Sequence, residues 1–290
     1  MTEAETPEQK LAALAPRAID AFTRQALEGA ARVLGDRDNP LRINLFSAGI
    51  RIFFEHLMGT LAPLDEVKAC PWFRPEKDTT GPTRRQRIQY CLQGGITDQF
   101  LEETLDLEPE ALRSQLLGAF NNLSKHVHGR ADTLILDAAA QDEEAAATVD
   151  AVAGFLNAYH ECRAALLKPL AESLDDAAVD DLMQETIQSI DELATHHSIE
   201  EIYVGHTEVA AIGAESVRYR ATGTISVILQ WGSNSDLRRG DGAEMEKSFP
   251  FECLFDVPVE DPQELDNAEI VSGVDTGSWW DGYYDEDDRL

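Results

Sequence analysis

The sequence has few cysteines, few basic residues and no long apolar run. Its four cysteines, Cys70, Cys91, Cys162 and Cys253, are far apart and form no C-x-x-C pair. That excludes a disulfide framework and a zinc ribbon and predicts reduced, buried thiols. No stretch approaches the roughly eighteen apolar residues of a membrane helix. The opening MTEAETPEQK is acidic and polar where a signal peptide is basic and then apolar, so a cytoplasmic protein is expected. There is no phosphate loop, dinucleotide glycine pattern or nucleophile elbow. The loop GSNSDLRRGDGAE lacks the spacing of a calcium hand and carries Arg238 and Arg239. No cofactor is expected.

Basic charge is scarce but unevenly so. The chain of 290 residues holds 24 Lys and Arg against 54 Asp and Glu, a net charge of -30. Residues 1–131 carry 18 acidic and 16 basic side chains, whereas residues 132–290 carry 36 and 8. The first part can approach an anionic partner; the second repels phosphate and suits a basic protein partner.

What is present begins with residues 40–58, PLRINLFSAGIRIFFEHLM. At 100° per residue, Leu45, Phe46, Ile50, Ile52, Phe53, Phe54 and Leu57 wrap roughly 200° of arc, which predicts a helix packed on most sides. Asn39 caps it, with Pro40 at the first helical position. Its narrow polar face holds Asn44, Ser47, Arg51 and Glu55, the last two one turn apart. An ion pair on a partly exposed face is the plain reading of Arg51 and Glu55; a site is the other.

Along the rest of the chain, residues 1–9 are expected to be disordered and residues 10–34 helical despite Pro16. The stretch CPWFRPEKDTTGPT, 70–83, must be loop. Arg84, Arg85 and Arg87 then open a helix that Gly94 and Gly95 close. Their planar forks suit phosphate, and the adjacent Trp72 and Phe73 either stack on a base or anchor the loop. A helix from Pro109 packs Leu112, Leu116, Phe120, Leu123 and Val127 on one stripe and sets Asn121, Lys125 and His128 opposite, with His126 and Asn122 flanking. A metal held by His126 and His128 with Asp132, His160 or Glu161 is disfavoured, because a His-x-His pair on a helix splays by about 160°. Residues 134–195 read as helical throughout. Alternation then predicts an antiparallel sheet of three to five strands, followed by a loose aromatic and acidic tail from Trp279.

The succession NPLRINLFSAGIRIFFEHLMG, PTRRQRIQYCLQGG and FNNLSKHVHGRADT, followed by a sheet with VILQWGSNSD and SFPF, resembles the bacterial family of predicted pPIWI-associating nucleases. Its helical part is also similar to HEPN domains, whose ribonuclease members use an arginine, a gap of four to six residues and a histidine. Arg51 and His56 match that gap, but on a continuous helix they sit about 140° apart with His56 on the apolar arc, so the match is set aside. The resemblance implies an α+β protein. A helical, HEPN-like domain covers residues 10–195, an antiparallel sheet domain 196–278 and an acidic tail 279–290. It implies a metal-independent nuclease, with RNA the favoured substrate, in prokaryotic defence. His128 or His126 would be acid or base, with Arg51, Lys125 and Glu55 completing the catalytic set. Arg84, Arg85, Arg87, Asn121 and Arg130 would bind nucleic acid. An Argonaute-like protein partner and a homodimer are implied by analogy. The competing expectation is a non-catalytic adaptor or inhibitor whose acidic C-terminal region binds a basic protein.

Overall fold

The structure, a computed structural model, describes residues 5–127, 134–184 and 187–281, with backbone alone at 124–127. The fold is α+β, a helical region followed by a four-stranded antiparallel sheet. Among the described residues no helix is long and apolar enough to cross a membrane.

Helix α1, Pro7–Leu14, begins inside the stretch expected to be disordered: Thr6 caps it and Pro7 takes the first helical position, where a missing N–H costs nothing. The single helix expected over 10–34 is two. Pro16 cannot continue α1, a 3-10 turn follows at Ala15–Arg17, and Asp20 then caps α2, Ala21–Gly35. Helix α3, Arg42–His56, starts two residues later than expected, and Asn39 turns its side chain onto the Leu41 N–H at 3.0 Å. A π-helical turn, Leu57–Leu61, and α4, Leu64–Ala69, complete this layer.

After the loop come α5, Arg84–Gln93, capped by Thr83 and stopped at Gly94, whose φ of 55° places it in the left-handed half of the map. Helices α6, Asp98–Glu103, and α7, Pro109–Val127, follow. Residues 134–195 are not helical throughout: 134–137 are irregular, α8 is Ala138–Leu167, Pro169 lies in a turn, α9 is Ala171–Gln184 and α10 Gln188–Asp191. Strands β1 (His196–Ile212), β2 (Ser216–Trp231), β3 (Ala243–Pro258) and β4 (Glu269–Val274) pair in chain order, with a short helix α11, Asn234–Arg239, between β2 and β3. The expected loose tail is ordered at its start, since Trp279 stacks on Trp231 at 6.0 Å.

The chain divides into two compact units, Met1–Arg163 with Gly213–Glu215, and Ala164–Ile212 with Ser216–Leu290. In the first, α3 buries Ile43, Phe46, Ile50, Phe53 and Phe54, and Phe54 meets Phe120 of α7 edge-on at 5.7 Å. Each such side chain contributes about 1.5–3 kcal/mol on burial. Helix α3 is nonetheless not packed on most sides. Leu45 and Ile52 are 47% and 54% exposed, and with Leu41 and Phe22 they form an open apolar stripe. Arg42, by contrast, is wholly buried. It donates to the carbonyls of Leu34 and Ala138, to Gln141 and to Asp142, tying α2, α3 and α8 together.

In the second unit, Val217, Tyr219, Ala221, Ile225, Val227 and Leu229 alternate along β2 onto one buried face. Helix α9 packs there with Leu174, Ala178 and Leu182 at a spacing of four.

Candidate functional site

The second half of helix α3 presents Arg51, Glu55 and His56 in a groove of about 470 Å³ that Phe22, Ala48 and Ile52 also line. Arg51 and His56 therefore share one surface depression. The sequence argument placed His56 on a buried arc; the edge of that arc with Leu45, Ile52 and His56 is open to solvent here, so the angle of about 140° spans a groove instead of separating a face from a core.

His56 is held from three sides. Its Nε2 lies 2.7 Å from Asp20 Oδ2, its Nδ1 lies 3.4 Å from the Thr60 hydroxyl, and its ring is tilted 32° against Phe22 with centroids 4.3 Å apart. With Nε2–H donated to the carboxylate, Nδ1 is the nitrogen left to accept a proton. Asp20 is placed by its helix: the other oxygen, Oδ1, accepts the Thr23 N–H at 2.7 Å as the cap of α2. Burial pushes the Asp20 carboxyl up, but the Thr23 N–H, His56 and the Thr23 hydroxyl outweigh it and hold the group below its ordinary value. Asp20 is thus ionised beside His56 over the whole neutral range.

Arg51 reaches Glu55 at only 3.8 Å, a loose contact, and its guanidinium lies 5.8 Å from the centre of the Phe120 ring. Arg84 lies over the same ring at 4.5 Å and is exposed. Two guanidinium groups from α3 and α5 thus converge on one aromatic of α7. The other two arginines of that run go elsewhere. Arg85 pairs with Glu110, which Arg113 also holds at 3.0 Å, and Arg113 in turn pairs with Asp98 at 2.6 Å. Arg87 turns inward to the carbonyls of Met58 and Ala62, closing the π-helical turn. Trp72 donates its indole N–H to the Gly94 carbonyl at 2.7 Å, so it anchors the loop.

Asn121 is exposed and lines a different groove, between α7 and α8, with Asn122 and Thr148. Lys125 and His126 lie on the last turns of α7, where only backbone is described, and His128, Arg130 and Asp132 lie outside the described residues. His160 sits with Nε2 2.9 Å from the Arg17 carbonyl, and Glu161 is exposed on α8.

Two family models, each described as a predicted pPIWI-associating nuclease, match residues 17–152 and 159–280. The chain belongs to this family. The first match takes in Asp20, Arg51, Glu55, His56 and Arg84, and the second takes in all four strands. No curated protein and no solved structure matches the chain. Within a family of predicted nucleases, the groove of α3 supplies the parts of acid–base chemistry on a phosphodiester: a histidine oriented by a carboxylate and a guanidinium in the same depression. Asp20 and Phe22 were missed from the sequence. The signal for Asp20 was its position as a helix cap with Thr23 three residues on; nothing local tied it to His56.

Proposed function

We propose that this pPIWI-associating family member is a metal-independent ribonuclease whose site is the groove of α3. The observation that carries it is the Asp20–His56 pair, 2.7 Å apart, in the groove that Arg51 lines. In this reading His56 Nδ1 takes the proton of a ribose 2′-hydroxyl, the 2′-oxygen attacks phosphorus, and the bond to the 5′-oxygen breaks as an acid protonates it. The products are a 2′,3′-cyclic phosphate and a free 5′-hydroxyl. Arg51 and Arg84 hold the phosphate oxygens as charge builds on them. RNA is preferred over DNA because only RNA carries the 2′-hydroxyl. The exposed stripe of Leu41, Leu45, Ile52 and Phe22 brings a second copy against the groove, and the second His56 supplies the acid. A nuclease of this kind, associating with an Argonaute-like protein as the family name says, fits a role in prokaryotic defence.

The test is cleavage of single-stranded RNA by purified protein in excess EDTA. His56→Ala is expected to lower the rate by roughly a hundredfold or more, with His126→Ala and His128→Ala measured beside it. Loss with His128→Ala and none with His56→Ala moves the site to the end of α7. Activity only with added magnesium or manganese overturns the metal-independent mechanism. No cleavage of RNA or DNA under any condition favours the adaptor reading.

A further inference from the structure

The sheet is covered by α9 on one face and open on the other. Across the middle of the open face run Tyr203 and His206 of β1, Thr222 and Thr224 of β2, Glu252 of β3 and Gly273 of β4, in register. Short side chains at the centre and taller ones at the sides leave a trough of about 940 Å³. Two features of the backbone shape it. Strand β1 carries an irregularity between Val204 and His206, the extra residue being Gly205. Opposite it, on the covered side of the sheet, a Cβ at Gly223 would collide with the Tyr203 carbonyl and the Phe251 ring, so only glycine lets the strands approach there.

The chemistry of the face is one-sided. Its two arginines are committed, Arg218 to Asp256 at 2.6 Å and Arg220 to Glu208 and Glu252. Glu201, Glu244 and Glu246 point to the same face, are exposed, and have no basic partner among the described residues. Tyr203 stands 64% exposed at the rim. Surplus carboxylates repel phosphate, and an exposed phenol ring beside a carboxylate attracts a cation.

We infer that the open face of the sheet docks a basic segment of a partner protein, with an arginine or lysine side chain seated in the trough against the Tyr203 ring, on the side of the unpaired Glu201. Hydroxyls of Thr222 and Thr224 on the trough floor give hydrogen bonds to the segment. Nothing in this docking depends on the groove of α3.

The experiment uses the full-length protein and three fluorescent probes followed by anisotropy: the peptide RVRVRVRVR, its acidic counterpart EVEVEVEVE, and a nine-nucleotide oligouridylate. Gly273→Phe fills the trough without changing charge, since a Cβ at Gly273 meets open space. Tyr203→Thr removes the ring. Glu260→Lys, on an exposed site beyond β3, controls for net charge. The basic peptide alone should bind this face, and Gly273→Phe and Tyr203→Thr should each weaken it about tenfold while Glu260→Lys changes it less than about threefold. Melting curves establish that the variants fold; if Gly273→Phe does not, Tyr203→Thr carries the test alone. Three results overturn the inference: no binding of the basic peptide, equal weakening by Glu260→Lys, or oligouridylate binding that the trough variants abolish.

Discussion

Asp20 divides one carboxylate between a helix and a histidine: Oδ1 accepts the Thr23 N–H and Oδ2 holds His56 Nε2, each at 2.7 Å. The first turn of α2 and the orientation of the His56 ring therefore share one group. The two roles separate by substitution.

Asp20→Asn keeps an oxygen for the cap, because asparagine caps as well as aspartate. It presents an amide to His56 in place of a carboxylate. Stability should fall by less than about 0.5 kcal/mol, and RNA cleavage by roughly tenfold or more as the ring loses its orienting acceptor. Asp20→Ala should lose the cap as well, about 1 kcal/mol. Urea unfolding beside cleavage rates decides it; equal activity of Asp20→Asn and the parent protein would remove Asp20 from the mechanism.

Leu45→Glu and Ile52→Glu should turn a dimer into a monomer. Both side chains are exposed within one copy, so the stability of the monomer should change by no more than about 0.5 kcal/mol. Sedimentation at micromolar concentration is the measurement, and a parent protein that is already monomeric there would contradict the paired site.

Arg42→Met should cost about 2–5 kcal/mol, because it strands the Leu34 and Ala138 carbonyls around a buried position and leaves Asp142 with Arg37 alone. Arg42→Lys should recover little of this, since one ammonium cannot reach four acceptors spread around a planar fork. A denaturation midpoint close to that of the parent protein in either variant would count against the buried latch.

Glu110 sets part of the acid response. Hydrogen bonds from Arg85 and then Arg113 lower its carboxyl from an ordinary 4.5 to about 2. A carboxyl lowered by folding stabilises fully above its ordinary value and loses that stabilisation as pH falls through the lower one. Glu110→Gln should therefore cost stability at neutral pH and converge with the parent protein between about pH 4.5 and 2. The difference should stay below about 1 kcal/mol, since the pair is half exposed and screened. Melting temperatures against pH would show parallel curves if Glu110 were not responsible.

Much of the architecture was legible in the chain. The helix start at Arg84, the glycine stop at Gly94, the loop of 70–83 and the alternation of β2 and β3 are local signals, and each element formed where its signal lay. Coverage was not legible. Periodicity identifies which face of α3 is apolar, but Leu45 and Ile52 differ from Phe46 and Phe53 only in whether another element reaches them. The same gap hid His56, because a residue on an apolar arc reads as core until that arc proves open. Nothing local marked Arg42 as buried, and Arg84, Arg85 and Arg87 looked equivalent; their partners come from elements distant in the chain. The Asp20–His56 contact joins residues 36 positions apart, beyond the reach of any helical spacing.

The order of the strands has a kinetic consequence. Each of β2, β3 and β4 pairs with the strand made just before it. Sheet assembly can thus proceed hairpin by hairpin as the chain emerges during synthesis, with only local connections to close and no early strand waiting for a late one. The long β1–β2 hairpin should be the first piece protected from hydrogen exchange in a pulse-labelled refolding experiment, and the short edge strand β4 the last.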